Sequence, residues 1–299
     1  MQCDSRTSLL TMPQHDHLFV DVSICICTRN RPESLADTLE SIRGSSTAPG
    51  QVVVADDSTD ERTRDLVRTG YPDVLYCRGS RRGLGANRNT AAAAATGERI
   101  LFLDDDCRLD VDFLATALAS LGTADDPART IITGCETNNH KVVIASDQDF
   151  LGFQSRSYRP SDVMHSVVIN ATLFPRHMFD QLSFDEKVIY GFDEVDLTSR
   201  AVAAGYTIIA CLEAVNHHSP SPTNRDYYGV HAQASRLYVT FKRYRFTQGR
   251  PVKAAAFLAI AILHVAATMT RDSGLAGLRA AREAVLEALA AITQSWRAA

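Results

Sequence analysis

Ile100-Leu101-Phe102-Leu103 runs without a break into Asp104-Asp105-Asp106. Four consecutive apolar residues suit a strand covered on both faces of a parallel sheet, and the aspartates then sit at its carboxyl end. Val22 to Cys27, VSICIC, reads the same way and ends in Thr28-Arg29-Asn30-Arg31-Pro32. Val52 to Ala55 is a further apolar run, and it ends in Asp56-Asp57. Between these runs lie segments with helical spacing. Leu35, Leu39 and Ile42 form a stripe within Glu33 to Arg43, Asp60 to Arg68 can form a helix, and Asn87 to Thr96 carries an alanine tract that favours one. A short strand at Val74 to Cys77 fits between the last two. Strands alternating with helices predict an α/β fold with a right-handed, Rossmann-like, mostly parallel sheet flanked by helices. Ligands bind such sheets beyond the carboxyl ends of the strands, and two of those ends are acidic here.

Three adjacent carboxylates repel one another unless a cation or hydrogen-bond donors compensate them. A divalent metal is the simplest compensation. In extended chain, residues two apart face the same side, so Asp104 and Asp106 can meet one ligand group while Asp105 meets another. A solvated loop or a helix cap near Asp110 is the alternative. Asp56 to Asp60 can accept hydrogen bonds from a base or ribose, or form an Asx-type turn, and the two are compatible. Thr28, Arg29 and Arg31 offer a hydroxyl and two guanidinium groups to a nucleobase or a phosphate; simple surface solvation is the alternative for each.

The second half is less regular. Strands are expected at Thr130 to Gly134, Val142 to Ala145, Ser166 to Ala171 and Thr207 to Leu212, with an acidic helix from Asp193 to Ala204. Asn216-His217-His218 follows the last strand. Beyond Tyr227 the pattern is helical and includes an apolar segment, Ala254 to Met269, that is shorter than the ~20 residues of a bilayer span.

Composition sets the outer bounds. Over 299 residues, 45% are hydrophobic and 22% charged, which points away from disorder and from a polytopic membrane protein. A formal charge of −4 offers no general attraction for nucleic acid. Cys3, Cys25, Cys27, Cys77, Cys107, Cys135 and Cys211 show no zinc-type or redox-type pairing, which fits a reducing cytoplasm. Residues 1–18 lack a signal-peptide core and read as a flexible leader.

Four stretches taken in order resemble the large inverting family 2 of nucleotide-sugar glycosyltransferases, which have the GT-A fold. They are VSICICTRNRPESL (22–35), VVVADDSTDERT (52–63), RRGLGANRNTAAAAATGERILFLDDDC (81–107) and SFDEKVIYGFDEVDLTSRAVAAGY (183–206). The resemblance implies a catalytic domain over residues 19–225, with a donor half at 19–122 and an acceptor half at 123–225, followed by a helical extension at 226–299. It implies that Thr28, Asp57 and Arg31 contact the nucleobase, with Arg29 beside them, and that Arg88 lies near the donor diphosphate. Asp104 or Asp105 would hold the ribose or sugar. Asp106 would coordinate Mg²⁺ or Mn²⁺, with Asp104 and a histidine, His217 on positional grounds, as further ligands. The family pattern carries Glu-Asp where this chain has Asp193-Glu194. Glu194 then occupies the catalytic position, with Asp193 as the other candidate base.

The implied reaction moves a sugar from a UDP-, dTDP- or GDP-sugar to a hydroxyl on a glycan, a lipid-linked acceptor or a small natural product. A sugar-phosphate nucleotidyltransferase and a catalytically silent nucleotide-sugar-binding protein are the alternatives. Lys242 to Phe246, basic and aromatic, together with the apolar segment after it, can rest peripherally on the inner face of an anionic membrane or pack on the catalytic domain.

Overall fold

The computed structural model describes residues 19–138, 141–159, 161–219 and 225–298; the leader expected at 1–18 lies outside them. In chain order the elements are β1 (Phe19–Thr28), α1 (Pro32–Arg43), β2 (Ala48–Asp56), α2 (Arg62–Gly70), β3 (Leu75–Arg78), α3 (Leu84–Ala94), β4 (Arg99–Asp104), β5 (Cys107–Leu109) and α4 (Phe113–Leu121). The second half adds β6 (Thr130–Asn138), β7 (Lys141–Val143), β8 (Ser146–Gln148), β9 (Gln154–Ser157), β10 (Thr172–Pro175), α5 (Asp193–Ala203), β11 (Thr207–His218), α6 (Arg225–Lys242) and α7 (Pro251–Ala298).

Among the described residues nine strands join in one sheet, in the order β3-β2-β1-β4-β10-β6-β11-β5, with β7 paired to β6. The β3-β2-β1-β4 half is wholly parallel, as its unbroken apolar runs require. The other half is mixed: β10 runs antiparallel to both β4 and β6, and β11 is parallel to β6 but antiparallel to β5. The apolar runs bury both of their faces. Ile24 and Ile26 pack under α1 and α4 with Leu35, Leu39, Phe113 and Leu114. On the opposite face Cys25, Ile100 and Phe102 meet Ala91 of α3 and Leu197 of α5.

Two departures from expectation bear on the site. The strand expected at Ser166 to Ala171 does not form. The Val168 N–H goes to the Thr133 hydroxyl and Val168 C=O accepts from the Thr172 hydroxyl, so a 3₁₀ turn at Ile169–Ala171 precedes the short strand β10. Strand β11 is longer than expected and carries Asn216, His217 and His218 within the sheet, paired to β5 and β6. Gly134 permits this, because a Cβ there would stand 2.1 Å from the Ala214 carbonyl of β11.

Helices α6 and α7 pack on the start of α5 around Leu237, Tyr238, Phe257 and Val265. Helix α7 breaks at Gly274, whose φ is 58°, and the chain turns back on itself there. The turn is tight: a Cβ on Gly277 would meet the Met269 carbonyl at 1.8 Å. By length and composition α7 is apolar enough to cross a membrane, unlike the shorter segment expected from sequence. Ala254, Phe257, Ala261 and Val265 of its first arm are nevertheless fully buried against the protein.

Candidate active site

The three aspartates have three separate environments, set by the alternation of extended chain. Asp105 turns inward and is 0% exposed. Its carboxylate accepts the Thr28 hydroxyl at 2.7 Å and pairs with Arg31 at 2.5 Å. Burial pushes its carboxyl up to about 7, against the opposing pull of Arg31 and Thr28. Thr38 of α1 clamps the same turn by donating to the carbonyls of Asp105 and Cys107. Asp105 therefore anchors the loop. Thr28 and Arg31, expected at the nucleobase, are engaged by Asp105 and Asp106 in this structure: Arg31 reaches Asp106 at 2.8 Å and supplies counter-charge to both carboxylates.

Asp106 turns to the other side, its side chain 10% exposed, and meets His218 Nε2 at 3.2 Å. Burial would raise its carboxyl, but His218 and Arg31 hold it below the ordinary range. Because side chains alternate along β11, the two histidines point to opposite faces. His218, 18% exposed, sits between Asp106 and Glu136, whose carboxylate meets Nδ1 at 3.1 Å. His217, 49% exposed, faces Asp110 and the Thr137 hydroxyl. The histidine beside Asp106 is thus His218, while His217, preferred from its position in the sequence, faces the other way. Burial disfavours the charged form of His218, yet the two carboxylates outweigh it and push the imidazole up to about 10.

Asp106, Cys107 and His218 bring one ligand atom each within 4.8 Å of one another. Burial holds the Cys107 thiol well above its ordinary range, so it stays protonated and is a poor ligand. A carboxylate oxygen remains, together with an imidazole nitrogen whose proton a cation would have to displace, taking over the counter-charge that the proton supplies to Asp106 and Glu136. That donor pair fits Mn²⁺, and Mg²⁺ less well, with further positions left for phosphate oxygens and water.

Asp104 stands apart from this pair. One of its oxygens takes Arg88 at 2.9 Å and the other faces the Asn170 amide at 3.4 Å, while its N–H goes to Asn170 Oδ1 at 2.9 Å. Asn170 also faces Glu136 at 3.4 Å, so a chain of polar contacts runs Asp104, Asn170, Glu136, His218, Asp106. Glu136 and Asn170 escape the sequence reading. Glu136 was detectable in principle as a carboxylate at the end of an apolar strand, whereas Asn170 sits in an irregular turn with no pattern to mark it.

Arg88 is 2% exposed and its guanidinium joins Asp104 on β4 to Asp193 at the start of α5. It acts as the clamp between the two acidic ends. Removing it strands two carboxylates in a poorly solvated site, so Arg88→Ala is expected to cost about 3–5 kcal/mol of stability. A urea denaturation midpoint unchanged from wild type would contradict the clamp.

Asp193 is committed to Arg88, which leaves Glu194 as the half-buried carboxyl beside it. Burial first, and then the neighbouring Asp193 charge, hold Glu194 well above its ordinary range. The turn that aims it is strained: Phe192 has φ 63°, a left-handed conformation unusual for an aromatic residue. At the far edge, Asp57 accepts the Arg81 N–H at 2.9 Å and packs over Gly79, where a Cβ would lie 2.0 Å from its oxygen. Arg29 is exposed and its charge bears on Asp57. Asp56 closes the Asx turn with Ser58 N–H at 2.8 Å.

This arrangement can be set beside known proteins. Residues 23–181, more than half of the chain, match the pattern of Glycosyl transferase family 2. The chain belongs to that family. It is 30% identical over 101 residues to the glucosyl-dolichyl phosphate glucuronosyltransferase of Haloferax volcanii, covering 32% of each chain. It is 27% identical over 221 residues to the galactofuranosyltransferase GlfT1 of Mycolicibacterium smegmatis, covering 66% of this chain and 70% of that one. The chain thus spans about a third of the first of these relatives. Among solved structures, the mannosyltransferase PcManGT of Pyrobaculum calidifontis, in complex with GDP-Man and Mn²⁺, superposes with a TM-score of 0.57 at 18% identity. That match covers 95% of this chain and 91% of the other. S. aureus TarS residues 1–349 with UDP-GlcNAc gives 0.57 at 14% identity, over 81% and 71%. Family membership and these superpositions establish a GT-A fold.

Proposed function

We propose that this family member is an inverting glycosyltransferase that moves a sugar from a nucleoside-diphosphate sugar to an acceptor hydroxyl by metal-assisted single displacement. The observation that carries the reading is the Arg88 bridge, because it sets the Asp193-Glu194 start of α5 against the acidic end of β4. A potential base beside Asp193 and a candidate metal pair beside Asp104 would then share the region beyond the end of β4, where open α/β sheets bind ligands. The GDP-Man and UDP-GlcNAc held by the structural relatives support a nucleotide-sugar donor, and the Mn²⁺ in one of them supports a divalent cation.

Asp106 and His218 would hold the cation, with Glu136 fixing the histidine ring from behind, as carboxylates commonly do for metal-bound imidazoles. Mn²⁺ or Mg²⁺ there would offset negative charge on the departing diphosphate. Glu194 takes the acceptor hydroxyl proton as that oxygen attacks the anomeric carbon; the carbon's bond to the diphosphate oxygen breaks, and the diphosphate leaves with the electron pair. Attack from the face opposite the leaving group inverts the anomeric centre. Asp57, at the end of β2, lies toward the base of the donor, with Arg29 beside it.

A carboxyl held above the ordinary range is protonated, and inactive as a base, on the acid side. The rate of transfer is therefore expected to rise with pH through an inflection well above the ~4.3 of an ordinary glutamate. A pH profile of kcat/KM checks this, and a rate flat from acid to neutral pH would contradict it. The reading as a whole is tested by incubating the protein with UDP-, dTDP- and GDP-sugars, an acceptor panel and Mn²⁺, then determining released nucleotide and the anomeric configuration by NMR. Nucleoside diphosphate release with inverted product supports it. Pyrophosphate formation would assign a nucleotidyltransferase, and retained configuration would exclude single displacement.

A further inference from the structure

The first arm of α7, from Pro251 to Gly274, carries no Asp, Glu, Lys or Arg between Lys253 and Arg271. At 100° per residue its two sides separate cleanly. Ala254, Phe257, Ala261 and Val265 lie on the side packed against the protein. Val252, Ala256, Ala259, Leu263 and Ala267 lie on the other and are exposed, Val252 at 82% and Leu263 at 71%. Only 22% of the most apolar stretch of the helix is buried. An uncharged, largely bare helix surface of this length is unusual for a soluble protein in water.

The charge around it indicates what covers it. Lys242 and Arg243 are engaged within the protein by Asp185, Asp196 and Asp147, but from Arg245 onward the sequence still holds seven lysines and arginines against three carboxylates, whereas the whole chain is net negative at −4. Lys253 and Arg271 stand about five turns apart on the same side of the arm, one at each end of the apolar arc. Arg250, Arg279, Arg282 and Arg297 are exposed nearby in the chain. A second copy of the chain meeting this face symmetrically would bring like charges together. An anionic surface would be attracted by the same charges.

We propose that the first arm of α7 seats the protein on an anionic phospholipid bilayer, lying in the interface with Val252, Ile260 and Leu263 among the headgroups and acyl chains and the basic residues on the lipid phosphates. The arm does not span, because its buried side is committed to the protein core. Docking of this kind combines apolar burial with electrostatic attraction and is salt-sensitive.

The test is flotation of the purified full-length protein with vesicles of phosphatidylcholine alone or with about 30% phosphatidylglycerol, whose negative surface attracts basic side chains. Binding is expected to be at least ~10-fold stronger to the anionic vesicles and to weaken as salt is raised. Ile260→Glu with Leu263→Glu is expected to reduce it at least ~10-fold, and Arg271→Glu with Arg279→Glu to a similar degree. Both pairs are exposed, so circular dichroism and melting temperature should match wild type. Failure of the wild type to float with anionic vesicles at low salt would overturn the proposal. So would a dimer in light scattering that Ile260→Glu with Leu263→Glu dissociates, since that would assign the arc to a second copy of the chain.

Discussion

Asp106→Ala is expected to abolish sugar transfer, lowering kcat/KM by at least ~10³-fold, or about 4 kcal/mol of transition-state stabilisation. Of the three aspartates only Asp106 meets the imidazole of His218, at 3.2 Å. Loss of that oxygen leaves one nitrogen donor, too little to hold a hard cation against water. The fold should survive, because Asp105 continues to hold Arg31 and Thr28, and Glu136 continues to hold His218. Rates measured across a Mn²⁺ titration check this: the variant should gain nothing from added metal. Wild-type turnover by Asp106→Ala would remove the metal assignment.

Glu194→Gln should slow transfer by about 10²- to 10⁴-fold in kcat, the usual contribution of a general base, with donor KM changed by less than about twofold. The substitution keeps the side chain's shape and removes only its ability to accept a proton. Residual activity should also lose the pH inflection assigned to this carboxyl. Asp193→Asn provides the contrast. Asp193 is bound to Arg88 and buried, so its replacement should act mainly by weakening the clamp, which appears as lost stability together with lost rate. If Asp193→Asn removed the pH inflection in a stable protein while Glu194→Gln left it intact, the roles of the pair would be exchanged.

Residues read from local pattern were placed well. Ile24, Cys25 and Ile26, and likewise Leu101, Phe102 and Leu103, are apolar on consecutive positions because both faces of the sheet are covered, and that pattern needs no knowledge of distant contacts. Strand β10 is four residues long and its register depends on antiparallel neighbours from far along the chain, so nothing local marks it. The site follows the same rule. The alternation Asp104, Asp105, Asp106 was legible from the geometry of extended chain. Which histidine turns toward Asp106 was not, since it depends on how far β11 extends and how it pairs with Cys107 and Asn138. The burial of Arg88 was hidden for another reason: an arginine in an alanine-rich helix looks solvent-facing until the two carboxylates that enclose it are seen to come from β4 and α5.

The Asp106–His218 pair is the proposed meeting place of cation and donor diphosphate. Isothermal titration of UDP and GDP, each with and without Mn²⁺, into wild type, His217→Ala and His218→Ala tests this directly. The expected result is metal-dependent binding by wild type and His217→Ala, and a loss of at least ~10-fold in affinity, with the metal effect gone, for His218→Ala. Metal-dependent binding that persists in His218→Ala and disappears in His217→Ala, or binding indifferent to metal in all three proteins, would contradict it.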